Sequence, residues 1–282
     1  SLELTAIRST GVLDTGTDDV LADLVAGILT LTFNRPDARN ALSSELLQAL
    51  GSQLADGEIN PEVRCVVITG TGAAFCAGGD VKAMSETNSN GAKSTLDTLI
   101  QRQRLNQRAT SGRLYKMPKP TLAVLPGPAA GAGLSIALAC DLRIMSSTAF
   151  MTTAFAKVGF AGDYGGSLFM SQLVGTAKAR ELYFLSDRIS AKEAEDLGLT
   201  NWVVEPEALQ ESAADIAQKL ANGPTVAYSY MKDNLARALT SADVHDCLDL
   251  EASHHIHCGG TDDHKNAVEA FIEKRAPVFE GR

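Results

Sequence analysis

Glycines in two loops and one aspartate mark where this chain could do chemistry. Gly127-Pro128-Ala129-Ala130-Gly131-Ala132-Gly133 runs straight into the apolar stretch Leu134-Ser135-Ile136-Ala137-Leu138-Ala139-Cys140-Asp141. A glycine-rich turn that opens a helix lets backbone approach a ligand closely, and the first helical turn then offers unpaired N–H groups and a positive dipole end. Three readings compete for it. Small residues can simply let two elements touch. A dinucleotide site would need a third glycine at position 136, which is Ile136, and an acidic residue about twenty positions on at the end of a second strand, which is missing. An oxyanion hole would use the same N–H groups but needs a second donor from elsewhere. Phe75-Cys76-Ala77-Gly78-Gly79-Asp80, another small-residue loop, could supply it. A candidate acid, Asp163, lies in Phe155-Ala156-Lys157-Val158-Gly159-Phe160-Ala161-Gly162-Asp163-Tyr164-Gly165-Gly166-Ser167. Its plain explanation is a turn or helix start, and proton transfer is the alternative.

The elements that must hold these loops can be read from periodicity. Leu29-Thr30-Leu31-Thr32-Phe33-Asn34 alternates as a half-buried strand does, and Arg35-Pro36-Asp37 turns the chain. Ser43 or Ser44 can cap a helix with Leu46, Leu47, Leu50 and Leu54 on one face. Cys65-Val66-Val67-Ile68-Thr69 is continuously apolar, as a strand covered on both faces must be. Strand, helix, strand points to a parallel crossover, with the Gly79 loop beyond the end of the second strand, where open α/β sheets bind ligands. Thr121-Leu122-Ala123-Val124 and Asp141-Leu142-Arg143-Ile144-Met145 read as further strands. Residues 85 to 116 read as a mobile loop and an exposed helix, whose Lys93, Arg102, Arg104, Arg108 and Arg113 form a solvated face rather than an anion patch. Ser190-Ala191-Lys192-Glu193 matches a capping box, and Gly198 can close that helix. Helical spacing recurs over 207–221, 225–238 and 262–273, so an α/β core over residues 1–205 precedes a helical region over 206–282. His254 and Cys258 are spaced to share a metal on a helix, but no other ligand spacing accompanies them and a helix end explains them better; no metal is expected.

The 282 residues are 45% hydrophobic and 21% charged, proportions of a globular protein with room for a sizeable core. A net charge of -9 argues against sequence-independent nucleic-acid binding, which rests on phosphate neutralisation. No apolar run is long enough to span a membrane, no secretion signal is evident, and five cysteines without a CxxC pattern suit a reducing cytoplasm.

Asn34-Arg35-Pro36 through Arg39-Asn40-Ala41-Leu42, Phe75 through Asp80, and Gly131 through Asp141 together resemble the enoyl-CoA hydratase/isomerase (crotonase) family, as does the tail from Asp263-His264 through Phe271-Ile272-Glu273-Lys274-Arg275-Ala276-Pro277. The resemblance covers about residues 20 to 282, with the motifs in the family's order. It implies an α/β fold built as a spiral of repeated ββα units, with a helical C-terminal trimerisation region, and a homotrimer or a dimer of trimers. It implies an acyl-CoA thioester as substrate, so that coenzyme A arrives as part of the substrate and no separate cofactor is needed. The oxyanion donors of the family fall on the backbone N–H groups of Gly79 and Ala132. The CoA moiety would follow Arg39-Asn40-Ala41 and Cys76-Ala77-Gly78, with Asp80, Gly131, Ser135 and Phe155 also lining the substrate site.

One departure bears on the reaction. Hydratases of the family use two glutamates, and the corresponding positions here are Ser135 and Phe155, neither of which can act as acid or base at neutral pH. Asp163 falls where some isomerases of the family carry a single catalytic acid. The resemblance therefore favours double-bond isomerisation, with Asp163 shuttling a proton and burial among residues such as Phe155 and Phe160 raising its pKa. The alternatives are hydration with another proton donor, an aryl-CoA dehalogenase- or hydrolase-like reaction with Asp163 as nucleophile, and a non-catalytic acyl-CoA binder.

Overall fold

A computed structural model describes residues 11–80 and 95–282 of the chain. Strand β2 (Val20–Val25) pairs antiparallel with both β1 (Gly11–Leu13) and β3 (Ile28–Phe33). Ala26 (φ 51°) and Gly27 (φ 83°) form the two-residue turn between β2 and β3, since both central residues of such a hairpin need positive φ. Along β3 the expected alternation puts Leu29, Leu31 and Phe33 inward. Helix α1 (Ser44–Ile59) starts at Ser43, whose Oγ accepts the Leu46 N–H at 3.0 Å, and it buries Leu46, Leu50 and Leu54 completely. The chain returns as β4 (Cys65–Gly70), parallel to β3, so the crossover forms as expected.

Helix α2 (Leu96–Ala109) buries no residue, in keeping with a solvated basic face; Lys93 lies outside the described residues. Helix α3 (Ser111–Lys116) leads to β5 (Thr121–Leu125), and the short β6 (Ala129–Ala130) precedes α4 (Ala132–Ala139). All eight residues of α4 are buried, as its uniform apolarity requires. Next come β7 (Leu142–Ser146), β8 (Phe150–Thr152), the long α5 (Gly166–Leu185), β9 (Ile189–Ser190), α6 (Ala191–Asp196) and β10 (Trp202–Val204). The capping box at Ser190 and Glu193 is present. Seven strands form one sheet in the order β1-β2-β3-β4-β5-β7-β10, parallel from β3 onward, and β6-β8-β9 form a smaller second sheet. The parallel strands all deliver the chain to the same edge, so the loops after β4 and β5 emerge side by side.

The faces of the large sheet are covered differently. On one side α1, α4 and α5 close over Leu31, Phe33, Ile68 and Ala123. On the other, α7 (Leu209–Ala221) lays Leu209, Ala213, Ala217 and Ala221 against Val67, Leu122, Val124 and Ile144. Helices α8 (Thr225–Thr240), α9 (Val244–Gly259) and α10 (Asp262–Ile272) complete the described chain. Its end returns to the core through two polar anchors. The buried Arg64 guanidinium donates to Gly223 O at 2.5 Å and Phe279 O at 2.6 Å, and the Asp263 carboxylate accepts the N–H groups of Glu280 and Gly281 at 2.6 and 2.9 Å.

His254 sits within α9 rather than at a helix end. Its ring stacks on Tyr230 at 4.3 Å and its Nδ1 lies 2.6 Å from Asn234 Oδ1. No group of three or more potential metal-ligating side chains occurs among the described residues. None of the helices described is long and apolar enough to cross a membrane. Cys65, Cys76 and Cys140 are buried free thiols whose pKa is pushed up to about 12 by burial, so they behave as small apolar residues.

Candidate active site

The two glycine-rich loops interlock through contacts that tolerate no side chain. A Cβ on Gly133 would fall 2.4 Å from Cys76 O, and one on Gly127 would fall 2.0 Å from Ala73 O. Short ladders reinforce the fit: Phe75 and Cys76 N–H donate to Pro128 O, and Ala130 N–H donates to Cys76 O at 2.9 Å. Gly78 adopts φ 94°, and a Cβ there would lie 2.9 Å from Ala130 O and 3.5 Å from Ala132 N. The residue preceding Gly79 is therefore in contact with the backbone around Ala132, and the structure brings the two candidate donor segments together. Leu42 N–H donates to Gly78 O at 2.8 Å in a parallel bridge to Gly79, which leaves the N–H of Gly79 itself outside that ladder. Ala132 is the first residue of α4, where an N–H has no intrahelical acceptor. Gly131 before it takes φ 53° and donates its own N–H to Thr152 O at 3.0 Å.

A turn after β3 holds the Gly79 loop from the other side. Arg39 (φ 51°) and Asn40 (φ 57°) are both left-handed, a conformation Asn adopts more readily than most residues. The fully buried Asn40 side chain accepts Arg35 N–H at 2.8 Å and donates to Thr71 O and Ala74 O at 3.0 and 2.8 Å. Arg39 O accepts Ala77 N–H at 3.0 Å, and Ala41 O accepts from the Arg35 guanidinium at 2.5 Å. That guanidinium also donates to Asp80 Oδ2 at 3.1 Å, so Asp80 is held by an ion pair. Arg35 and Asn40, which belong to the family-like motif, thus act as the loop's fasteners, a role their spacing alone does not disclose.

Arg39, Ala77 and Ala130 line a cleft of about 460 Å³ together with Pro36, Lys157 and Arg188. Three cationic side chains in one cleft suit an anionic ligand. Arg188 was not singled out from the sequence; it follows α5 and stacks over the Phe150 ring at 4.3 Å.

Asp163 lies in the loop that opens α5, where Gly166 packs against Ser135 of α4. Burial pushes its carboxyl up to about 6, and its buried Oδ1 has no hydrogen-bond partner among the described residues. The loop is braced by Tyr164, a buried residue at φ 50° whose N–H donates to Gln107 Oε1 of α2 at 2.7 Å. Phe155 is buried, lies 3.6 Å from where a Cβ of Gly131 would be, and stacks on Tyr183 at 5.8 Å. Phe160 departs from expectation: it is 59% exposed, because the 3-10 turn Phe155–Val158 ends at Gly159 (φ 72°) and throws the following residue outward. Tyr183 from α5 takes its place against the acid's loop, with its Cε1 3.1 Å from where a Cβ of Gly162 would be. Ser135 is buried one turn into α4, and its Oγ bonds back to Gly131 O at 3.3 Å.

Comparison with known proteins agrees with this architecture. The enoyl-CoA hydratase/isomerase family matches residues 23–282, and the chain belongs to that family. It is similar to 1,2-epoxyphenylacetyl-CoA isomerase of Escherichia coli K12, at 33% identity over 93% of this chain and 98% of the relative. It is also similar to the short-chain-enoyl-CoA hydratase of Clostridium acetobutylicum, at 35% identity over 92% of this chain and 96% of the relative. Among solved structures, an enoyl-CoA hydratase from Bacillus anthracis superposes with a TM-score of 0.86 at 29% identity, covering 94% of this chain and all (100%) of the other. The fold is accordingly the crotonase fold, and the protein is an enzyme of a family that acts on acyl-CoA thioesters.

Proposed function

We propose that the protein isomerises the double bond of an enoyl-CoA through a thioester enolate. Asp163 takes a proton from the carbon beside the thioester and returns it to a carbon further along the acyl chain. The N–H groups of Gly79 and Ala132 hold the enolate oxygen, one such donor being worth about 3–4 kcal/mol in related chemistry. The observation that carries the reading is the carboxyl of Asp163, raised to about 6 by burial, with Oδ1 unpartnered among the described residues and the Tyr183 ring against its loop. A base that titrates near neutrality is suited to both accepting and returning a proton. Arg39, Lys157 and Arg188 around the cleft that Ala77 and Ala130 line support a polyanionic CoA moiety lying there. The test is Asp163→Asn assayed with a 3-enoyl-CoA; retained turnover would remove Asp163 from the mechanism.

Hydration is the second reading, favoured by the likeness to the short-chain-enoyl-CoA hydratase of Clostridium acetobutylicum. Against it stand Ser135 and Phe155 at the two positions where hydratases of the family carry glutamates. We further propose a homotrimer or a dimer of trimers. Support comes from the apolar side chains left exposed on α8 to α10, among them Leu235, Leu239, Ile256, Phe271 and Ile272. A solution mass equal to one chain of 29.7 kDa would refute this assembly.

A further inference from the structure

Tyr183 is a polar group that the proton shuttle does not use. Its ring runs alongside the loop that carries Asp163: Cε1 abuts Gly162, while the hydroxyl abuts Gly166 at the start of α5. A Cβ on Gly166 would fall 2.3 Å from Ser135 Oγ and 2.7 Å from Tyr183 Oη, so the two hydroxyl oxygens lie no more than about 5 Å apart. Ser135 already donates to Gly131 O, whereas Tyr183 Oη makes no hydrogen bond among the described residues. Burial and the neighbouring Asp163 hold the phenol up to about 12, so it remains a donor throughout the physiological range. Tyr183 is half-buried, and its hydroxyl, beside the Ser135 hydroxyl and near the Asp163 carboxyl, is placed to donate to a bound group.

The direction of that donor follows from the helix. Ser135 is three residues beyond Ala132 on α4, a rise of about 4.5 Å. On the proposed reading the thioester oxygen sits at Ala132 N, and acyl atoms beyond the α-carbon that run past the first turn of α4 meet Ser135 with Tyr183 Oη beside it. Here Phe155 and the Tyr183 ring supply flat apolar surface, and Tyr183 Oη supplies the unpaired donor.

We propose that Tyr183 is a specificity-determining residue whose hydroxyl donates to an oxygen on the acyl group, so that the substrate is an oxygenated rather than a plain hydrocarbon acyl-CoA. The assignment rests on the acyl-CoA reading of this site and names the substrate class within it. It does not require Tyr183 to move a proton. Phe in place of Tyr183 would keep the stack on Phe155 while deleting the donor, so the substitution isolates the hydroxyl.

The experiment measures dissociation constants of hexanoyl-CoA, 4-oxohexanoyl-CoA and 5-oxohexanoyl-CoA by calorimetry with wild type, Tyr183→Phe and Asp163→Asn. Wild type is expected to bind at least one oxo compound about tenfold more tightly than hexanoyl-CoA, the order of one added neutral hydrogen bond in a desolvated site. Tyr183→Phe should abolish that preference while its affinity for hexanoyl-CoA stays within about twofold, and Asp163→Asn should retain the preference. Equal preference in wild type and Tyr183→Phe, or no preference in wild type for either oxo compound, overturns the proposal. If the preference behaves as expected but wild type fails to isomerise 3-enoyl-CoA, the proton-shuttle reading falls and the donor assignment stands. No binding of any of the three thioesters overturns both.

Discussion

Replacing Asp163 with Asn should make the protein inactive and more stable at once, and the two effects should share one titration. The carboxyl is raised from 3.8 to about 6 by desolvation alone, so folding penalises its charged form. At about 1.4 kcal/mol per tenfold change in proton affinity, the rise from 3.8 to about 6 corresponds to about 3 kcal/mol. The carboxyl is only half-buried, and solvent screening reduces the realised cost to about 1–2 kcal/mol. The sign follows from linkage: the folded state binds the proton more tightly than the unfolded state does, so stability falls as pH rises from about 4 through about 6. Above that window the full cost is present, and below it the cost disappears. Asp163→Asn should therefore melt a few degrees higher than wild type at pH 7.5, with most of that advantage gone by about pH 4.5. Its kcat/KM with a 3-enoyl-CoA should fall by about 10³, within the usual range for losing a positioned base. Wild-type kcat/KM should rise with pH through about 6 as the carboxylate ionises. Thermal melts across pH, together with initial rates on the same preparations, read both quantities. A variant that is no more stable than wild type at pH 7.5, or whose advantage does not change with pH, would refute the claim that Asp163 is held strained by desolvation.

Gly133→Ala should destabilise the fold by about 1–3 kcal/mol, because its methyl meets the Cys76 carbonyl oxygen at 2.4 Å; shaving the neighbouring side chain with Cys76→Ala should not rescue the melting temperature. Gly78→Ala combines a left-handed φ of 94° with a 2.9 Å approach to Ala130 O beside the Ala132 nitrogen. It should lower kcat by about 10² or more with a smaller effect on melting, as displacement of an oxyanion donor would, and an unchanged kcat would count against the donor pair. Asn40→Ala strips three hydrogen bonds from a fully buried side chain and leaves the carbonyls of Thr71 and Ala74 and the Arg35 N–H without that partner. It should cost about 2–3 kcal/mol by chemical denaturation, and hydrogen exchange should rise first in residues 70–77.

The parts of this molecule that could be read from the chain are those where local pattern and tertiary environment agree. Alternation in Leu29–Phe33, the apolar run from Cys65, Ser43 ahead of a leucine stripe, and the wholly apolar helix after Gly133 all name their surroundings, because each pattern suits only one kind of burial. Strand β1 and the three-stranded sheet escaped notice because strands of two or three residues carry too few positions for a period to register. Phe160 shows a different limit. Hydrophobicity favours burial of a phenylalanine in a loop, but the left-handed turn at Gly159 decides where the chain points, and Phe160 ends up exposed. Tyr183 is the converse, since nothing in its helical context marks it as facing Asp163. Its role arises only because α5 lies across the loop at Gly162–Gly166, and because Gly166 has no side chain to separate its hydroxyl from Ser135. Two of the glycines that looked most like ligand-approach positions, Gly127 and Gly133, instead make contact between backbones. The close-packing and oxyanion readings of that turn are therefore compatible: an orphan N–H at Ala132 can be held rigidly beside the Gly79 loop only if the glycines around it let the two backbones touch.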